Sequence, residues 1–170
     1  MTKHAIDPEH LKPLFYWAGL TLHACQQLEY GAKLLVVTMA ELGFGGFKLA
    51  DAIAIIEDEK KKTLGEVLRY LRQRVTLSDG WVASLEQGLD ARNRFIHGFL
   101  IDSAERIVDP STRPDVVRDV KEIRKLVLSA DSAVRQILET LHTYSGVEWQ
   151  RQQQQWAAEV RAMNEAPGEG

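Results

Sequence analysis

The sequence predicts an all-α protein, an up-and-down helical bundle of about five helices ending in a C-terminal amphipathic helix. Two patterns carry this reading. Apolar residues recur at alternating steps of four and three over long stretches, the period of a helix with one buried face. No useful run alternates apolar and polar residues as a half-buried strand does, and no long-period repeat marks a solenoid. At 170 residues and 45% hydrophobic content the chain suits one domain with a real core. We expect residues 1–164 to form that single helical domain and 165–170 to be a disordered tail.

The first long helix is expected after Asp7, an N-cap type followed by Pro8 at the first helical position, and runs to about Leu42. Gly43 to Gly46 then break it. Its stripe reads Leu11, Phe15, Ala18, Leu22, Cys25, Glu29, Ala32, Val36, Met39, with Glu29 as the polar member. Residues 47–59 read as a short helix, and Thr63 with Glu66 forms a capping-box signature for another reaching about Arg74. Ser78 caps the next helix, whose stripe is Trp81, Leu85, Gly88, Arg92, Ile96 and Phe99 before the chain loosens from Asp102 to Asp109. Ser111 or Thr112 with Pro114 opens a long helix with the wholly apolar stripe Val116, Val120, Ile123, Val127, Ala130, Val134, Ile137, Leu141. Residues 147–163 are Gln-rich but keep Trp149, Trp156, Val160 and Met163 on one side, as a helix docked on the bundle or on a partner would.

A net charge of -3 and a pI near 6.0 exclude a generally basic nucleic-acid-coating protein, so any RNA contact must be local. Cys25 is the only cysteine, which excludes an internal disulfide and a Cys-based zinc site and fits a reducing cytosol. The N-terminal residues lack the apolar run of a signal peptide, and no stretch approaches the ~18 apolar residues of a membrane span. A soluble cytoplasmic protein without a membrane partner is expected.

Polar interruptions in apolar stripes point to a site, because a charge on a core-facing position costs several kcal/mol, roughly, unless it is paired or wet. Arg92 and Glu29 are those interruptions. They either face each other or line one cavity at a bundle or dimer interface; a purely structural ion pair is the bland alternative. Beside Arg92, Glu86, Asp90, Asn93 and His97 follow at steps of four, three and four on one face. Arg92 and His97, five apart, sit about 140° apart on an ideal helix, which favours a cleft fed from two helices or two subunits. His4, His10, His23 and His142 are scattered without metal-like spacing, and no Gly-rich phosphate loop occurs, so neither metal nor cofactor is expected.

Placed at a helix end, preceded by Leu89-Asp90-Ala91 and followed by Gly98-Phe99, the segment Arg92-Asn93-Arg94-Phe95-Ile96-His97 resembles the motif of HEPN domains, an Arg followed after four to six residues by a His. That family favours a polar residue directly after the Arg, which Asn93 supplies. The run from His23 to Tyr30 is similar to the Gln-rich, Glu-bearing first helix of these domains, and the likeness spans residues 8–145. It implies a HEPN-like bundle that cleaves RNA without metal, in homodimers whose two motifs meet at a composite cleft.

The implied roles suit the residues. An imidazole titrating near pH ~6.5 shuttles protons at neutral pH, so His97 would be the acid/base. Arg92 would hold the scissile phosphate through forked hydrogen bonds, and Asn93 would orient His97 or bind phosphate. Glu29, Asp90 and Glu86 are supporting candidates. The resemblance thus implies an endoribonuclease, as a toxin or defence effector with RNA as substrate and an antitoxin or other protein partner. In HEPN toxins paired with nucleotidyltransferase antitoxins, the residue two after the His is a Tyr that the partner modifies; here it is Phe99, which has no hydroxyl to modify. The alternatives are a non-catalytic HEPN-like module binding nucleotide, RNA or protein, and a helical adaptor acting through residues 147–163.

Overall fold

The computed structural model describes residues 8–46, 48–57, 64–73 and 76–145, and among these it is helical without strands. The helices are α1 (Lys12–Glu41), α2 (Leu49–Glu57), α3 (Leu64–Arg72), α4 (Asp79–Arg94), the short α5 (Ala104–Val108) and α6 (Arg113–Ser145). After Arg94, α4 continues through a π turn, Phe95–Phe99, and a last α turn, Leu100–Asp102. The expected all-α bundle is therefore what forms. Asp7, Thr63, Lys60 to Lys62, the 147–163 segment and the 165–170 tail lie outside the described residues.

α1 starts later than the Asp7–Pro8 pair predicts. Pro8–Leu11 is a 3-10 turn, and the α-helix begins at Lys12 with Pro13 in its first turn. The second proline is the physical reason. In an α-helix begun at Pro8, Pro13 would lose its bond to the carbonyl of residue 9 and clash with it, whereas in a first turn its missing N–H costs nothing.

Three long helices build the core. Thr21 Oγ1 lies 3.5 Å from the Val120 carbonyl, and Gly31 lies against Val134, so α1 and α6 run parallel. Gly88 meets Ala130, while Trp81 Nε1 donates to Gln136 Oε1 at 3.3 Å, so α4 runs antiparallel to α6. The order up, down, up agrees with the predicted topology. α2 and α3 pack on α1, and α3 also touches α4.

The α6 stripe from Val116 to Leu141 is buried throughout. The α1 stripe holds only from Cys25 onward. Nearer the N-terminus the buried positions are Leu14, Thr21, Ala24 and Leu28, leaving Phe15 62% and Leu22 44% exposed. α1 packs along α6 and also meets α2 and α3, and a single averaged stripe misplaces the edge that belongs to α6. On α4 the buried residues are Leu85, Gly88, Ala91, Phe95 and Phe99, and Ile96 is exposed.

The segment from Asp102 to Asp109, expected to be loose, is an organised corner. Buried Arg113 donates from Nε to the Ile107 carbonyl at 2.7 Å and from Nη2 to the Val108 carbonyl at 3.1 Å, satisfying the last carbonyls of α5. Thr112 Oγ1 donates to the Arg106 carbonyl at 3.0 Å, and the Asp109 carboxylate accepts from Ser111 N and Oγ, both at 2.8 Å. Those Ser111 bonds hold the Asp109 carboxyl below its ordinary pKa. Ser78 caps α4 as expected, with extended backbone and its Oγ accepting from Trp81 N at 3.4 Å. Among the described residues no helix is long and apolar enough to cross a membrane.

A Cβ added at Gly88 would overlap the Ala130 side chain and press on the Leu126 carbonyl at 3.3 Å. Gly88→Ala should therefore lower stability by about 1–3 kcal/mol through overpacking, read as a lower denaturant midpoint. Adding Ala130→Gly should recover part of that loss.

Candidate functional site

The site lies on the seam between α1 and α4. Arg92 falls one turn after Gly88, where α4 is drawn closest to the core, and its guanidinium crosses to α1. There Nη2 donates to Glu29 Oε2 at 3.2 Å, while Nη1 donates to Asn93 Oδ1 at 3.1 Å. The other carboxylate oxygen, Glu29 Oε1, accepts from Lys33 Nζ at 3.1 Å, one turn further along α1. The seam thus carries a chain of four side chains, Lys33, Glu29, Arg92 and Asn93, bearing two positive charges and one negative.

Burial gives this chain its weight. The Arg92 side chain is 14% exposed, so its attraction to Glu29 is screened far less than a surface pair's. Its Nε is buried without a hydrogen-bond partner among the described residues. Removing Glu29 would leave a largely desolvated guanidinium with only a neutral acceptor, a costlier state than the intact pair. The two polar interruptions of the sequence therefore face each other.

Beyond Arg92 the helix changes period. In the π turn Phe95–Phe99 the bonding is i→i+5, so each residue contributes less rotation than in an α turn. Phe95 and Phe99 both point inward and stack at 6.3 Å with 30° between their planes. The lower rotation brings His97 closer to the Arg92 side than the 140° of an ideal helix. His97 is exposed, and among the described residues it makes no hydrogen bond or ion pair. Arg94 stands over the Phe99 ring at 5.4 Å. Phe99 is a core residue, so its position offers no surface group for modification.

Glu86 and Asp90 belong elsewhere. Glu86 pairs with Arg72 of α3 at 2.7 Å, and both carboxylates line a small cleft between α3 and α4 with Arg69, Leu68 and Leu89. The single polar stripe read from the sequence is divided, because α3 packs against its first half and leaves Asn93 and His97 to the seam. Among the described residues no three of His, Cys, Asp and Glu converge as metal ligands would.

Sequence reasoning missed Lys33 as a member of the site, although its position one turn after Glu29 is the legible signal. It also missed the π turn and the apolar flank. Phe15 and Leu22 lie on the Glu29 side of α1, while Ile96 and Leu100 follow Arg92 on α4, and all four are exposed. Comparison with protein-family models, with curated proteins and with solved structures finds no match.

Cys25 lies one turn before Glu29 and is buried. Burial pushes its thiol up to about 11, although the Arg92 charge pulls it down; burial likewise raises Tyr30 to about 12. Because the folded-state value exceeds the ordinary 9.0, the favourable contribution of the protonated thiol is complete below pH 9. It is lost as pH rises toward 11. Melting temperature should therefore fall between these values, and less steeply in Cys25→Ala, as measured by circular dichroism. In the native protein iodoacetamide should label Cys25 far more slowly than in urea.

Proposed function

We propose that the protein is a metal-independent endoribonuclease of the HEPN type, acting as a homodimer. The observation that supports this most is the seam itself, where Arg92 is held in place by Glu29 and an exposed His97 follows within two turns of the same helix. The ribose 2'-oxygen would attack the adjacent phosphorus as His97 of one subunit takes its proton. His97 of the second subunit would protonate the departing 5'-oxygen, leaving a cyclic phosphate and a 5'-hydroxyl. Arg92 would meet the phosphate by exchanging Asn93 Oδ1 at Nη1 for a charged oxygen, a stronger acceptor in a partly desolvated place. Asn93, released, then orients His97 or binds phosphate, and Lys33 leaves the seam net positive when the anion arrives. Glu29 holds the guanidinium in position.

The apolar flank supports the dimer. Leu22 and Phe15 lie about two and four turns before Glu29 on the same side of α1, and Ile96 and Leu100 follow Arg92, so contact between two copies along this side would bring the two motifs together. In this reading the protein works in the cytoplasm as a toxin or defence effector, restrained by an antitoxin or other protein partner. The second reading is a non-catalytic HEPN-like module that binds nucleotide, RNA or protein. It is favoured by the partial burial of Arg92, whose two terminal nitrogens each already donate to a partner within the chain.

Purified protein incubated with mixed RNA in excess EDTA should cleave it. His97→Ala should lower the rate by about 10²–10⁴-fold with the fold intact, and Arg92→Ala should also abolish turnover. Failure of the wild type to cleave any of several RNAs would decide for the binding module. Leu22→Lys with Ile96→Lys should convert a dimer to monomer on gel filtration and remove cleavage together with it.

A further inference from the structure

About a third of the way around α1 from the seam lies an aromatic and cationic patch that the proposed reaction does not use. Tyr16 is 62% exposed and meets Trp17 edge to face, with centroids 5.5 Å apart and planes at 84°. From α6, Lys121 Nζ stands 4.6 Å over the Trp17 ring and the Arg124 guanidinium 6.0 Å from it. Neither cation has a carboxylate partner among the described residues, whereas their neighbours Arg118 and Lys125 pair with Asp115 and Glu122. Arg124 Nε is buried without a hydrogen-bond partner among the described residues.

We propose that this patch binds single-stranded RNA, stacking a base on Tyr16 and placing the adjoining phosphates against Lys121 and Arg124. The choice of RNA over DNA rests on the ribonuclease reading; the stacking and charge arguments stand without it. Trp17 holds both cations by cation–π attraction, so they are fixed before an anion arrives and lose little freedom on binding it. An exposed ring beside two uncompensated cations is the arrangement that holds single strands without regard to sequence. An acidic peptide would satisfy the charges but would leave the Tyr16 face unused.

The patch is separate from the seam. Trp17 and Glu29, twelve residues apart on α1, are about 18 Å apart along the axis and about 120° around it. Trp17 faces α6, as Thr21 one turn later shows by its contact with Val120, and Glu29 faces α4. A strand held at Tyr16 would thus be tethered to the end of the bundle that carries His97.

The test uses the full chain carrying His97→Ala, so that RNA survives, and follows the anisotropy of a labelled oligouridylate. Tyr16→Ala should weaken binding roughly ten-fold by loss of base stacking. Lys121→Ala should reduce the slope of log Kd against log salt by about 0.7. Both positions are exposed, and circular dichroism verifies the fold. Polyglutamate should bind more weakly than RNA and be indifferent to Tyr16→Ala. Equal affinity and slope in both variants, no RNA binding at low salt, or tighter binding of polyglutamate would each overturn the proposal. Cleavage is scored separately with His97 intact. Variant-sensitive binding without cleavage supports the patch and sinks the ribonuclease reading, whereas cleavage with variant-insensitive binding sinks the patch alone.

Discussion

The close approach of α6 to its two neighbours sets the rest of the structure. Gly88 of α4 admits Ala130, and Gly31 of α1 admits Val134, so small residues lie at both contacts of the central apolar stripe. Without side chains there, the helices come near enough for short reaches to cross between them. Arg92 lies one turn beyond Gly88 and Glu29 two residues before Gly31, and the guanidinium closes the seam at 3.2 Å. The polar pair is thus a consequence of packing as much as of charge.

That pair has two physical aspects. As a partly desolvated ion pair it contributes modestly to stability, because attraction and lost hydration nearly offset each other, but breaking it on one side is costly. As a preorganised group it keeps an always-charged guanidinium at one position, with Asn93 and Lys33 completing its surroundings. The π turn that follows adds a second effect. By altering the helical period it keeps Phe95 and Phe99 inside while presenting Ile96 and His97 outside, so a change in backbone bonding separates core from surface over five residues.

The two sides of α1 differ in character. Toward α4 it carries exposed apolar side chains and a partly desolvated ion pair, a surface suited to another copy of the chain. Toward α6, an exposed ring and two cations without carboxylate partners among the described residues suit a polyanion. A net charge of -3 hides this division, since electrostatic recognition depends on local arrangement within about one Debye length of ~10 Å rather than on the sum.

The sequence by itself determined the helical class, the α6 stripe, the Ser78 cap and the two polar interruptions, because helix period and capping are local properties of neighbouring residues. It also singled out Arg92 with Glu29 as groups needing an answer, since a charge in an apolar stripe is visible without coordinates. Only the tertiary structure decided that the two answer each other, that Lys33 joins them, and that Glu86 turns instead to Arg72 in another cleft. It alone placed Phe15 and Leu22 outside, because α1 is covered by α6 together with α2 and α3, and one averaged stripe cannot represent several directions. The π turn was likewise illegible. Its i→i+5 bonds follow from the packing of Phe95 and Phe99 into the core, a contact between residues that local periodicity treats as belonging to an ordinary helix.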